Sequence, residues 1–271
     1  MKSIRVHIFR TTYTFKLSHL RVAVFASFIV GCLKLLFQYF GIELLEVNAL
    51  LTAIISGNIF ILGFLLNSTL RDYKEAEKIP SDMATSLETI YDECEIMLAK
   101  KKQPVVIKAI EHLLETTRLC EAWFYKKAYT QDVLMHISEF NYFLEKFEPI
   151  TQANFIVRMK NEQNNLRKYV LKANILRDTP FYEASYTIAK ISVFFLLFLL
   201  TILSADPFYE YVLFILVIVF MTIFLVSLIK DLDEPFEYDD LDTSDEVSLK
   251  PLTDFVKRVK KRMKKLKISV R

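Results

Sequence analysis

Residues 48–71 read NALLTAIISGNIFILGFLLNSTLR, and this stretch decides the fold. It is long and apolar enough to cross a bilayer, which takes roughly 20 residues at a rise of about 1.5 Å each. One row of its side chains, spaced by three or four residues, is nevertheless polar at both ends and aromatic in the middle. Residues at that spacing lie on one face of a helix. This row, called here the polar–aromatic stripe, consists of Asn48, Thr52, Ser56, Phe60, Phe64 and Asn67.

The stripe has two interpretations. Polar groups are costly in hydrocarbon unless they line a cavity or find partners, so the first interpretation is a pore-lining helix with a phenylalanine constriction. The second is helix packing, because Ala49, Ala53 and Gly57 form a row of small residues that lets a neighbouring helix approach closely. The two interpretations are compatible, and the pattern alone leaves both open.

The composition is typical of a membrane protein. Of the 271 residues, 53% are hydrophobic and 14% aromatic, which is more apolar than an ordinary soluble domain. The net charge of +3 gives no reason to expect a nucleic-acid partner. Cys32, Cys94 and Cys120 have neither a disulfide framework nor zinc spacing, so we expect three unpaired thiols. The sequence contains no Ser/His/Asp grouping, phosphate loop or metal motif, which argues against an enzyme.

Glycine and proline usage favours long helices. The only four glycines lie between residues 31 and 63, and most of the seven prolines fall where a helix is expected to begin or end. We therefore predict an all-α integral membrane protein with four transmembrane helices, in two hairpins around a cytosolic helical bundle. The apolar runs that define these helices are 22–40, 48–71, 191–203 and 208–229.

The predicted organisation follows from those runs. We expect a basic cytosolic segment at 1–21, a first transmembrane hairpin at 22–71 with a pore-lining second helix, and a cytosolic helical bundle at 72–187. A second transmembrane hairpin at 188–229 and an acidic, then basic cytosolic tail at 230–271 complete the chain. The short connections at 41–47 and 204–211 contain acidic residues but neither Lys nor Arg. The positive-inside rule then places both connections outside a cell membrane and both termini in the cytoplasm.

Three charged or titratable residues within the predicted helices need an explanation. Lys34 interrupts the first apolar run, and either extends to water or pairs with Glu43 or Glu46, or else places a positive charge near an anion path. His112 and His136 have no second histidine or cysteine at metal spacing along the chain, so we expect ordinary histidines on polar helix faces.

The tail changes character along its length. The run 231–246, DLDEPFEYDDLDTSDE, has nine acidic residues and no basic one. Its oxygen ligands suit Ca²⁺, although the spacing is not that of an EF-hand, and a solvated acidic linker is the other interpretation. Residues 256–271 are strongly basic and interleaved with Val256, Val259, Met263 and Leu266. We expect an amphipathic helix against the anionic inner leaflet.

Two short motifs stand out along the chain. The first begins within the stripe and consists of Gly63-Phe64, then Asn67, then Tyr73-Lys74-Glu75-Ala76. The second follows the last apolar run and is Asp233-Glu234-Pro235-Phe236. With these motifs, the chain resembles the bestrophin and bestrophin-like membrane family, and the layout of helices fits the whole length.

The resemblance implies a homopentameric anion (chloride) channel whose second helix lines the pore. Large apolar residues four apart form the neck in that family, and the matching positions here are Ser56, Phe60 and Phe64, so the first departs by being serine. Tyr73-Lys74 stands where the family has tandem tryptophans. The other hypothesis is a non-conducting, membrane-anchored helical scaffold or sensor that binds a cytosolic partner.

The resemblance also bears on Ca²⁺. Animal members hold this ion in a clasp after the Pro-Phe element, whereas bacterial members generally lack the clasp. The carboxylates that match it here are Asp239 and Asp242, with Glu234 before the proline.

Overall fold

The structure, a computed structural model, describes residues 5–8, 11–14, 17–42, 44–100, 103–178, 183–204, 207–233, 235–238 and 246–266. The described chain is dominated by helices, as predicted. Its elements are β1 (Arg5–Ile8), β2 (Thr11–Thr14), α1 (Leu17–Tyr39), α2 (Ala49–Lys100), α3 (Pro104–Phe124), α4 (Thr130–Phe147), α5 (Ala153–Asp178), α6 (Glu183–Thr201), α7 (Phe208–Asp233) and α8 (Lys250–Lys265). The antiparallel pair β1–β2, with Arg5 opposite Thr14, was not predicted.

Glycine and proline mark several helix ends. After α1, the Gly41 N–H donates to the Gln38 carbonyl at 3.0 Å and the Ile42 N–H donates to the Phe37 carbonyl at 2.9 Å. This pair of bonds ends a helix in a left-handed residue, and Gly41 has a φ of +67°. Pro104 begins α3 as predicted, but Pro80 lies inside α2, where it removes one backbone donor without ending the helix.

The chain divides into two compact units. The first unit comprises Met1–Tyr73, Pro180–Glu234 and Asp242–Asp245, and the second comprises Lys74–Thr179, Pro235–Leu241 and Glu246–Arg271. The helix α2 contributes residues to both units, because it continues without interruption through residue 73.

Three described helices are long and apolar enough to cross a membrane, by length and composition. These are His19–Tyr39 of α1, Ala49–Ala99 of α2 and Phe208–Asp233 of α7. The apolar part of α6, Tyr186–Thr201, is shorter. The fourth crossing therefore stays a prediction.

The first unit is held together by apolar side chains from α1, α2, α6 and α7. The helices α1 and α7 approach closely, since a methyl group added to Gly31 would lie 3.1 Å from Leu216 Cδ2. One buried cluster contains Val30, Leu51, Leu196, Leu200, Leu203, Ile215 and Val219, and another contains Leu62, Leu65, Ala189, Val193 and Ile229.

The second unit has one large core, to which α8 contributes a whole face. Leu252, Phe255, Val259 and Met263 are buried among side chains of α2, α3, α4 and α5. The amphipathic helix predicted in the tail is therefore confirmed over its described residues, but the expectation that its apolar face lies against the inner leaflet is wrong. Its apolar face is already buried in protein and is not available to lipid.

Ion pairs flank the apolar contact of α8. The Arg258 guanidinium donates to both carboxylate oxygens of Glu88, at 3.0 and 2.6 Å. Arg262 lies 2.8 Å from an Asp92 oxygen, pairs with Glu95 and stacks over the Tyr91 ring. Pairs this accessible contribute little each, so burial of the apolar face holds α8 in place.

We predict that Phe255→Ala lowers the free energy of unfolding by about 3–5 kcal/mol, because it removes a fully buried ring. Lys260→Ala on the exposed face is the control, with a change within about 0.5 kcal/mol. Thermal unfolding of the full-length protein in detergent measures both. An unchanged melting temperature for Phe255→Ala, together with weaker binding to anionic vesicles, would restore the leaflet interpretation.

The expectation that both histidines lie on polar helix faces is wrong for His112, which is buried. His112 on α3 and His136 on α4 stack with ring centroids 4.1 Å apart and an interplanar angle of 2°. Burial, and next the neighbouring His136 ring, lower the pKa of His112.

The three cysteines are unpaired as predicted, with Cys94 and Cys120 buried and Cys32 exposed.

Candidate functional site

The segment of α2 that belongs to the first unit has two different faces. Leu51, Leu62, Leu65 and Thr69 are buried, together with Asn58. All of these except Thr69 and Asn58 belong to the apolar clusters of the first unit. The sequence analysis did not single out Asn58, although an amide within an apolar run is itself a signal.

All six residues of the polar–aromatic stripe are exposed. Phe60 is 74% exposed and Phe64 is 68% exposed, so neither ring packs in the core of its own chain. A row spaced by four drifts by about 40° per step around a straight helix. Asn48 therefore lies nearer the buried face, whereas Ser56, Phe60 and Phe64 lie roughly opposite it.

The two polar residues at the start of the stripe have local partners. Asn48 directly precedes α2, and its Oδ1 accepts a hydrogen bond from the Leu51 N–H at 2.9 Å. This is the N-cap role, in which a side chain satisfies a free N–H of the first turn. The Thr52 hydroxyl donates to the Asn48 carbonyl at 3.1 Å. This cap was not predicted, although asparagine before an apolar run is the usual signal.

Among the residues that the structure describes, no other helix packs against the row of small residues. Ala49 and Ala53 are exposed, and a methyl group added to Gly57 would meet nothing within 4 Å. The face that packs within the chain is instead the one that carries Leu51, Leu62 and Leu65.

Lys34 lies on α1 and belongs to the first unit. Its side chain is fully buried, and the ammonium donates to the carbonyl of Leu203. The expectation that it extends to water is therefore wrong. Backbone hydrogen bonds also join residues 44–45 to residues 202–204. The Leu44 N–H donates to the Ile202 carbonyl at 3.0 Å, and the Ser204 N–H donates to the Leu45 carbonyl at 2.6 Å.

Solved structures of membrane proteins, among them a bacterial bestrophin homolog, have the same architecture. A single-residue variant of a bacterial bestrophin homolog from Klebsiella pneumoniae matches with a TM-score of 0.76 at 12% identity, over 92% of this chain and 98% of that one. A second variant of that homolog matches with a TM-score of 0.72 at 15% identity, over the same shares. The chain has the bestrophin fold. A structure described only as a membrane protein variant matches with a TM-score of 0.72 at 14% identity, over 90% of this chain and 97% of that one.

The bestrophin fold confirms the resemblance suggested by the two short motifs. No family model and no curated protein matches the sequence. At 15% identity or less, the likeness shows the bestrophin fold alone.

The carboxylates suggested for Ca²⁺ lie outside the described residues. These are Glu234, Asp239 and Asp242. Described residues before and after Asp239 and Asp242 are joined by hydrogen bonds. The Val247 N–H donates to the Pro235 carbonyl at 3.1 Å, and the Tyr238 hydroxyl donates to the Val247 carbonyl at 2.6 Å. The Ca²⁺ site stays a prediction.

We predict that Asn48→Ala lowers the free energy of unfolding by about 1 kcal/mol, because the Leu51 N–H loses its capping partner. Asn48→Ser is the matched variant, since a serine hydroxyl also caps, and it should retain most of the stability. Thermal unfolding in detergent checks this. Equal melting temperatures for the two variants would mean that capping is not the structural role of Asn48.

Proposed function

We propose that the protein is an anion channel that conducts chloride or other small anions passively along the axis of a homo-oligomer, with a pentamer as the expected assembly. One observation carries this proposal: α2 leaves a polar and aromatic face exposed while its other face packs in the first unit. The bestrophin fold supports it, because the family resemblance implies a pore lined by this helix.

The stripe has the chemistry that an anion path needs. The Asn48, Thr52 and Ser56 side chains offer polar groups to a partly hydrated ion. Phe60 and Phe64 follow as the neck, where ring edges carry a weak positive potential and an apolar constriction gates by dewetting. Asn67 restores a polar surface beyond the neck. Passive conduction requires no catalytic residue, so the proposal does not involve an enzyme.

The proposed topology has four crossings, formed by α1, the first half of α2, α6 and α7. Both termini and the helical bundle at 72–187 are then cytoplasmic. The basic residues before α1 and the acidic connections at 41–47 and 204–211 support this orientation. Under this topology, the paired backbone of residues 44–45 and 202–204 lies at the outer end of the channel.

We predict that cysteines at Thr52 or Ser56 form disulfide-linked dimers between protomers when oxidised, because symmetry brings the same stripe residue together around the axis. The background is a Cys32→Ala protein, since Cys94 and Cys120 are buried. Non-reducing electrophoresis after copper-phenanthroline treatment measures the product. The control is Leu50→Cys, which is 76% exposed on another side of α2 and should stay monomeric. Cross-linking at Leu50 without any at Ser56 would exclude a stripe that faces the axis.

We predict that the double variant Phe60→Ala with Phe64→Ala increases chloride flux through reconstituted liposomes, because it widens and wets the neck in every protomer. The melting temperature should change little, since both rings are exposed in the chain. If a ring were packed in a core, its truncation to alanine would instead lower the free energy of unfolding by about 3–5 kcal/mol.

Phe195→Ala is the control for the neck. Phe195 is also exposed, at 58%, but lies on α6 rather than on the stripe. It should leave chloride flux unchanged. If the parent protein and the double variant both assemble and neither passes chloride, the channel proposal is wrong and the scaffold hypothesis replaces it.

A further inference from the structure

The helices α3 and α4 each carry a histidine followed three residues later by a glutamate. On α3 these are His112 and Glu115, and on α4 they are His136 and Glu139. Residues three apart lie on one face of a helix. Because α3 and α4 pack against each other, the two faces meet and the two imidazole rings stack. The repeated His-x-x-Glu spacing was a signal that the sequence analysis did not use.

One ring nitrogen of each histidine takes part in a hydrogen bond. The Nε2 of His112 lies 3.0 Å from the His136 carbonyl, which only accepts, so this nitrogen carries a hydrogen. The Thr116 hydroxyl donates its hydrogen to the His112 carbonyl at 2.8 Å. It therefore accepts from His136 Nδ1, 3.0 Å away. In neutral rings, the lone pairs are then on His112 Nδ1 and His136 Nε2.

Metal-binding histidines use this arrangement. One ring nitrogen binds the ion, and the other donates to a carbonyl or another protein group that fixes the tautomer and the ring orientation. The surroundings supply a third ligand as well. One ligand-capable atom from each of His112, Glu115 and His136 lies within 4.8 Å of the other two.

We propose that His112, Glu115 and His136 form a binding site for a divalent first-row transition-metal ion, of which Zn²⁺ fits the ligands best. Two imidazole nitrogens and one carboxylate oxygen are typical Zn²⁺ ligands, whereas Ca²⁺ and Mg²⁺ favour oxygen alone. This leaves a fourth position for water or for the Glu139 carboxylate.

Burial and exposure around the cluster suit such a site. His112 is 8% exposed, and the Phe143 ring lies 5.4 Å from its own. Glu115 and Glu139 are exposed, so the site is apolar on one side and accessible to an ion on the other. The cluster lies within the second unit, and its test does not depend on whether the protein conducts.

Binding requires a small rearrangement. Tetrahedral Zn²⁺ with bonds of about 2.0–2.1 Å places its ligand atoms about 3.3 Å apart, which is closer than in the present arrangement. The nitrogen lone pair of an imidazole lies in the plane of its ring. In two parallel stacked rings, the lone pairs therefore lie in two parallel planes and do not point at one ion. The rings must therefore turn about their Cβ–Cγ bonds, a torsion with a broad energy minimum. The ion replaces the ring stack, and the Glu115 side chain moves inward.

The experiment uses the full-length, tag-free protein in detergent after treatment with EDTA. Zn²⁺ is added, unbound ion is removed by desalting, and elemental analysis gives the bound metal per protomer. We expect one ion per protomer and a raised melting temperature, because a ligand of the folded state stabilises it by mass action. Co²⁺ in place of Zn²⁺ should give visible absorption bands from nitrogen and oxygen ligands.

The variants His136→Gln and Glu115→Gln should each weaken Zn²⁺ binding by about tenfold or more and remove the Co²⁺ bands. Glu115 is exposed, so its variant tests the site without disturbing the core. The controls are His19→Gln in the first unit and Glu145→Gln on α4, which should bind as the parent does. If the parent retains no ion, or if both site variants bind as the parent does, the proposal is wrong.

Discussion

The first unit depends on giving partners to polar groups that lie within an apolar set of helices. Water is scarce in such surroundings, so polar groups must bond to the protein itself. The Ser27 hydroxyl donates to the Ala23 carbonyl at 2.8 Å, and the Thr69 hydroxyl donates to the Leu65 carbonyl at 3.1 Å. Lys34 is the extreme case, because a fully buried ammonium bonds to the carbonyl of Leu203. Where the helices end, backbone groups of residues 44–45 pair with those of 202–204 instead of remaining free.

The need to give polar groups partners also bears on α2, whose two faces differ. Leu62 and Leu65 bury one face of the helix, and the polar–aromatic stripe is left outside the core. Local bonds reduce the cost of that exposure, since Asn48 caps the helix and the Thr52 hydroxyl bonds to the preceding turn. The two phenylalanines have no comparable local explanation. The proposed path, shared by several copies of α2, would account for their position, and this is why the proposed function rests on the stripe.

The second unit is held together by a single large apolar core. Apolar burial sets the position of α8, and the arginine pairs with Glu88 and Glu95 add orientation. The His112–His136 stack is an exception within this unit. Its hydrogen bonds to a carbonyl and a hydroxyl hold both rings in a parallel stack, which the proposed metal ion would have to open.

The sequence by itself determined the helical character, the apolar runs and the stripe, because these follow from local composition and from spacing along one helix. It also carried the two motifs that indicated the bestrophin fold. Only the tertiary structure decided which surface each face meets. The apolar face of α8 meets protein rather than lipid, Lys34 reaches a carbonyl 169 residues away along the chain, and the two histidines, 24 residues apart, stack. Periodicity shows that a face is apolar or polar, whereas its partner depends on contacts between distant segments that no local pattern encodes.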